Sequence, residues 1–301
     1  MSRLRGLSDG RKITYGVTLV FVLGLILFGV LFGVKGHKNN SYKPQDEFHL
    51  LTWFKIGPIP INKGVLYLVI AGALTVGTMV WASKRLQMRP NRVQTAVEWA
   101  YTLCLGLTRD NMDDKMAKKY FPLICTLFLF ILFSNLIGYI PLPVNSGANF
   151  HLFGITIPSF QIFAATTNVG FPLTLALIVF FIYNIEGVRA HGFIGYLKSL
   201  VPQGVGGKMV IFIFPLEVMS NFLRLISLTI RLWANLLAGH LLIGFMAGDL
   251  AVLLGLQILG WFTLPVGVII FLFEVGLIAG LQAFIFSILA AIYIGGAVSR
   301  H

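Results

Sequence analysis

Six apolar stretches, at about residues 13 to 34, 64 to 83, 120 to 143, 168 to 185, 209 to 246 and 251 to 298, constrain this chain more than any other feature. A hydrocarbon layer about 30 Å thick is crossed by about 20 apolar residues in α-helix. The expected fold is therefore an all-α integral membrane protein with about six apolar helical segments. Composition agrees: 57% of the 301 residues are hydrophobic and 11% are charged, against roughly 25% charged in soluble domains.

The last two stretches exceed one upright crossing. The run from 209 to 246 holds 38 residues, which as helix is roughly 57 Å long. These two are expected to form a long, steeply tilted helical hairpin, with Pro265 a possible kink. Pro90-Asn91 followed by Arg92 to Thr108 reads as an amphipathic helix along the membrane surface. Its apolar side carries Val93, Val97, Tyr101, Cys104 and Leu105, and its polar side Gln94, Glu98 and Thr102. The division expected along the chain is an N-terminal anchor span and loop over 1–62, then one membrane-embedded domain over 63–301.

The formal net charge of +12 does not point to nucleic acid, because the cations lie between apolar runs without interleaved aromatics. They report orientation instead. Lys84, Arg85, Arg89, Arg92, Arg109, Lys115, Lys118 and Lys119 mark the connection they share as cytoplasmic. The connection from about 144 to 167 has no Lys or Arg and belongs on the other side, while Arg189, Lys198 and Lys208 return the next one to the inside. Six crossings then put both termini inside, in keeping with Arg3, Arg5, Arg11 and Lys12. The loop from 35 to 62 runs against this pattern, with Lys35, Lys38, Lys43 and Lys55 facing outward beside Asp46 and Glu47. A cleaved signal peptide is the other reading of the first stretch. That stretch is long for such a peptide, and Gly33-Val34-Lys35-Gly36 is not a small-residue cleavage site. Cys104 and Cys125 have neither metal-ligand nor redox spacing and read as core or lipid-facing residues.

The chemistry concentrates in the 209 to 246 run. Glu217, Ser220, Asn221, Arg224, Ser227, Arg231 and Asn235 recur every three or four residues, apart from the adjacent pair, and so form one stripe on a helix. An Arg at a membrane helix centre costs roughly 2.5–3.5 kcal/mol even on the mildest scale, so such a stripe needs water, partners or both. It reads as the wall of an aqueous path. If the last two helices pack as a hairpin, Arg231, Asn235, His240, Glu274 and Gln282 share a surface. Imidazole exchanges protons near neutral pH, apolar surroundings can bring a carboxylate there, and amides order water. Plainer roles exist for some of these groups. Ser220, Asn221 and Ser227 can serve as interhelical hydrogen-bond partners, Glu217 can pair with Arg224, and His240 beside Gly239 can be a packed interfacial histidine.

The run Ser227-Leu228-Thr229-Ile230-Arg231-Leu232-Trp233-Ala234-Asn235-Leu236-Leu237-Ala238-Gly239-His240 resembles the S-L-x-x-R-L-x-x-N-x-x-A-G-H signature of the subunit a family of rotary ATP synthases. Gln282-Ala283-Phe284-Ile285-Phe286 is similar to its Q-A-[YF]-[VI]-F signature, and Pro215-Leu216-Glu217 and Gln94-Thr95-Ala96-Val97-Glu98-Trp99 also look like family segments. The resemblance covers about residues 64 to 299. It implies a proton-translocating stator subunit with two half-channels serving carboxylates of a ring of c subunits. The implied partners are that ring, the b subunits of the peripheral stalk, other ATP synthase subunits and lipid, with no nucleic acid, cofactor or metal. The implied place is a membrane, bacterial plasma membrane first and an organelle inner membrane second. By resemblance Arg231 is the stator arginine, Asn235, His240, Glu274 and Gln282 belong to the outer half-channel, and Glu217 and Ser227 to the inner one. The chain departs from the family in its 13 to 34 stretch and in Glu274, which stands eight residues before Gln282 where seven is common.

Two other classes compete. A self-contained secondary ion-coupled transporter using Glu217, Arg231 and Glu274 would more often show two related halves, and the sequence has no such repeat. An intramembrane enzyme built on His240 and Glu274 lacks an H-E-x-x-H or nucleophile motif. The absence of a G-x-x-x-x-G-K-[ST] run argues that the chain binds no nucleotide, so it is expected to be a non-catalytic subunit.

The loop charges make a direct prediction. With Cys104 and Cys125 replaced, a cysteine at Gly147 should react with an impermeant thiol reagent added outside the cytoplasmic membrane. Cysteines at Lys115 and Lys198 should react only from inside, and labelling of 147 and 198 from one side would overturn the six-span arrangement.

Overall fold

The computed structural model describes residues 52–56, 59–85, 87, 91–140, 142–152, 155–161, 165–201, 208–246 and 257–299. Strands β1 (Thr52–Ile56) and β2 (Ile59–Asn62) lead into helix α1 (Lys63–Arg85). Helices α2 (Arg92–Arg109) and α3 (Asp114–Gly138) follow, then strands β3 (Leu142–Leu152) and β4 (Ile155–Gln161). A short 3-10 turn (Ala165–Thr167) precedes α4 (Gly170–Ser199), α5 (Lys208–Gly244) and α6 (Gln257–Phe273). A π-turn (Glu274–Ile278) then passes into α7 (Ala279–Ser299).

Five helical segments among the described residues are long and apolar enough to cross a membrane: Gly64–Lys84, Asp114–Gly138, Gly170–Ser199, Met209–Gly244 and Thr263–Val298. They fall on the last five of the six apolar stretches, and the spanning body is all-helical as expected. The 13 to 34 stretch lies outside the described residues. The connections hold something the apolar pattern did not announce, two antiparallel hairpins, β1 with β2 and β3 with β4. Val144, Phe150, Ile155, Thr156, Ile157 and Phe160 supply the β-branched and aromatic residues that favour strands in the second of these.

The described residues belong to two compact units, one including Gly239–Glu274 and the other comprising Phe48–Ala238 with Val275–His301. In the larger unit α3 is the central post, with α1, α2 and α7 packed on it, and α7 also packs on α4. Ile124, Phe128 and Ile131 of α3 meet Leu175 and Val179 of α4 and Leu228, Leu232 and Leu236 of α5 in one core. From α7 come Ala283, Phe286, Ala290, Ala291 and Ile294. The alanines let helices approach closely, the usual basis of packing where lipid tails are as apolar as the side chains. At Gly295 the approach is closer still, since a Cβ there would overlap the Asn111 carbonyl oxygen.

Helix α2 corrects one expectation. Its buried stripe is Ala100, Cys104, Leu107 and Thr108, while Val93 and Tyr101 are exposed and Gln94 is buried. Gln94 tolerates burial because its amide donates to the Gln87 carbonyl at 2.8 Å and to Glu98 Oε1 at 2.7 Å. It also accepts the Gln87 N–H at 3.1 Å, so the helix ties down its own approach segment. Exposed Trp99 and Tyr101 suit a helix lying at a membrane interface. Cys104 and Cys125 are free, buried thiols, and the neighbouring Cys125 together with burial pushes the Cys104 thiol above the ordinary cysteine range.

An ion cluster joins α3 and α4. Buried Glu186 accepts from Lys119 Nζ and from Arg189, each at 2.9 Å. Beyond it the chain breaks helical geometry at Gly192, with φ 71° and ψ 164°. The break folds the last turns back, so that the Tyr196 ring occupies the space a Cβ on Gly187 would need. The Tyr196 hydroxyl donates to Asn184 Oδ1 at 2.8 Å. Gly192→Ala should therefore destabilise the protein by about 1–3 kcal/mol, the usual cost of a side chain in a glycine-only backbone region. Thermal unfolding in detergent checks this, with Ala190→Gly, at a neighbouring exposed position, as a control that should cost about 1 kcal/mol or less.

Candidate functional site

Helix α5 has two contrasting sides. Leu228, Leu232 and Leu236, spaced by four, are buried in the core, whereas Phe212, Leu216, Met219, Phe222, Leu223, Ile226 and Ile230 are exposed. The polar stripe divides between these environments. Glu217 and Arg231 are half-buried, and Ser227 and Asn235 are exposed. The Arg231 guanidinium donates to Ser227 Oγ at 3.5 Å, one helical turn earlier, a long hydrogen bond. Among the described residues no carboxylate pairs with Arg231.

The part of the stripe from Asn221 to Arg224 has a different fate. Asn221 accepts the Tyr183 hydroxyl at 2.7 Å and donates to Asn184 Oδ1 at 3.1 Å, and Tyr196 converges on the same Asn184 oxygen. Arg224 lies over the Tyr293 ring at 5.5 Å from its centroid, a cation–π contact. It is therefore Tyr293, rather than Glu217, that faces Arg224. Tyr183 and Tyr293 are themselves 5.9 Å apart by ring centroids. Hydrogen bonds of hydroxyls and amides link α4 and α5, the Tyr293 ring adds α7, and sequence reasoning missed the members outside α5. The signal existed: Asn184 is an amide inside an apolar run, next to Tyr183.

His240, Glu274 and Gln282 are each buried. Within the smaller unit, Glu274 carries its carboxyl onto Gly239, where a Cβ would overlap the carboxyl carbon and both oxygens. Gly239 immediately precedes His240, so imidazole and carboxyl belong to adjoining positions. Gln282 sits in the first turns of α7, beside the buried Ala283. Asn135, fully buried on α3, donates to the Ala279 carbonyl at 3.3 Å at the start of the same helix. Its place in an otherwise apolar span was a readable signal. The Trp233 indole donates to the Thr167 carbonyl at 2.9 Å, fixing α5 to the 3-10 turn between Arg231 and Asn235.

A set of long apolar helices with a guanidinium, Arg231, that no described carboxylate meets, buried imidazole and carboxyl groups, and a polar stripe defines a polytopic membrane protein of the ion-translocating class. The family described as ATP synthase A chain matches residues 65–295. The ATP synthase subunit a of Rhodopseudomonas palustris is 34% identical over 263 residues, covering 85% of this chain and 97% of its own length. Those of Helicobacter acinonychis and Helicobacter pylori are each 34% identical over 232 residues, covering 77% of this chain and 88% of their own. The chain belongs to the ATP synthase subunit a family.

The hydrogen-bond chain predicts the effect of its removal. Asn221→Leu removes two side-chain hydrogen bonds, from the Tyr183 hydroxyl and to Asn184 Oδ1, leaving the hydroxyl the residue 221 carbonyl at 3.3 Å, and should cost about 1–3 kcal/mol. Asn221→Asp, which keeps the acceptor, should lose less, and equal losses in thermal unfolding would show that the chain does not hold these helices together.

Proposed function

We propose that the chain is the proton-translocating stator subunit of a rotary ATP synthase in a bacterial plasma membrane. It offers two half-channels to the carboxylates of a c-subunit ring and is held by the b subunits of a peripheral stalk. The supporting observation is Arg231: a fixed cation on a spanning helix, with Ser227 as its hydrogen-bond partner and no carboxylate partner among the described residues. Such a charge is stabilised when an anion from another subunit comes to it. Residues 63–301 form the channel domain in this reading, and 1–62 an anchor span and loop. The subunit itself is non-catalytic.

In this mechanism a proton enters from the outer side along Asn235, His240, Glu274 and Gln282. It neutralises a ring carboxylate, which can then move into lipid because it no longer carries charge. After nearly a full rotation the carboxyl loses its proton to the inner half-channel, past Ser227 and Glu217. Arg231 stands between the two paths, attracting the deprotonated carboxylate and repelling hydronium. Arginine suits the position because its pKa above about 12 keeps it charged where solvation is poor.

Arg231→Ala should abolish ATP-driven proton pumping while the complex still assembles, and passive proton conductance should persist or rise. Arg231→Lys keeps a charge but loses the planar fork and can shed its proton when desolvated, so it should pump poorly. Reconstituted complexes would be compared for assembly, ATP-driven acidification and passive conductance. Normal coupled pumping by an assembled Arg231→Ala complex would sink this assignment.

A further inference from the structure

From Gly170 to His191 helix α4 rises about 33 Å, slightly more than the roughly 30 Å of hydrocarbon that a spanning helix crosses. The break at Gly192, with φ 71°, therefore falls where the helix reaches the edge of the apolar layer. Immediately after it stand Phe193 and Ile194, which are 68% and 70% exposed. Two contiguous apolar side chains so far from the core are unfavourable in water.

The turns after the break are held in place. Tyr196 and Leu200, one helical turn apart, are buried, and the Tyr196 hydroxyl donates to Asn184 Oδ1 at 2.8 Å while its ring rests on Gly187. Just before the break, the His191 Nε2–H donates to the Val298 carbonyl at 3.1 Å and so ties this end of α4 to α7. Ile194 and Lys198, also one turn apart, are exposed. The packing of Tyr196 and Leu200 thus keeps the apolar pair turned outward.

Cations flank the pair. Arg189 precedes it by four residues and Lys198 follows it by four, and both are exposed. The carboxylate nearby, Glu186, is buried, and it meets Arg189 and the exposed Lys119 at 2.9 Å each. Three cations against one carboxylate leave positive charge at the level of the break. The boundary between lipid headgroups and acyl chains accommodates this combination, because apolar side chains enter the acyl layer while Lys and Arg reach out to phosphates. We propose that Phe193 and Ile194 are an interfacial anchor, seated in the headgroup–acyl boundary of the leaflet at that end of α4, with Arg189, Lys198 and Lys119 facing the phosphates of anionic lipids. The inference needs the chain only to span a membrane and is independent of the proton path.

The test uses the assembled complex, freed of Cys104, Cys125 and other cysteines and reconstituted in vesicles of phosphatidylcholine and phosphatidylglycerol. Phe193→Cys, Ile194→Cys and, for comparison, Lys115→Cys each carry a small fluorophore. Lipids brominated high on their acyl chains should quench the labels at 193 and 194 about threefold more than the label at 115, and iodide on both sides of the vesicles about threefold less. Brominated phosphatidylglycerol should quench the label at 194 about twofold more than brominated phosphatidylcholine, and Arg189→Gln together with Lys198→Gln should remove that preference. Two positions are labelled so that failure of one complex to assemble leaves the other to decide. Iodide quenching at 193 and 194 equal to that at 115 would put the pair in water and overturn the proposal. Protection from iodide and brominated lipid alike would mean that another subunit covers the pair, and overturns it equally. Equal quenching by the two headgroups also overturns it, since the cations would then select no lipid.

Discussion

A polar group held in hydrocarbon must find a partner, and most of this structure is the working out of that requirement. Thr75, Thr174 and Thr229 turn their hydroxyls back to carbonyls four residues earlier on their own helices. Asn221, Asn184, Tyr183 and Tyr196 satisfy one another across two helices and a backbone break. Glu186 is buried because two cations reach it. Against this background Arg231 stands apart: its charge is permanent, its hydrogen bond to Ser227 is long, and no carboxylate among the described residues answers it.

The same requirement explains why small residues are where they are. Gly239 is a seat for a carboxyl, Gly187 for a tyrosine ring and Gly295 for a backbone carbonyl. In each case the missing side chain brings a polar or amphipathic group closer to a helix axis than any other residue would allow. The alanines of α7 do the corresponding work for apolar contacts with α3 and α4.

The apolar periods made five spans, the helix after Pro90-Asn91 and the polar stripe legible, because each is written in the alternation of apolar and polar residues. Contacts set by geometry rather than polarity were not legible. Sequence spacing offered Glu217 as the partner of Arg224, but Tyr293 takes it, since a ring on another helix is invisible to spacing. The buried side of α2 was misjudged because Gln94 looked polar, although its amide is saturated by Gln87 and Glu98.

The leucine row of α5 carries a mechanical implication. If a rotor pushes sideways on Arg231, the load enters a helix anchored through Leu228, Leu232 and Leu236 into the wall formed by α3, α4 and α7. Close-packed interiors have low compressibility, so the deflection at the guanidinium under such a thrust is small. Trimming Leu232 to alanine would soften that mounting without touching a charge, and the rotor would then lose torque to bending of its own stator.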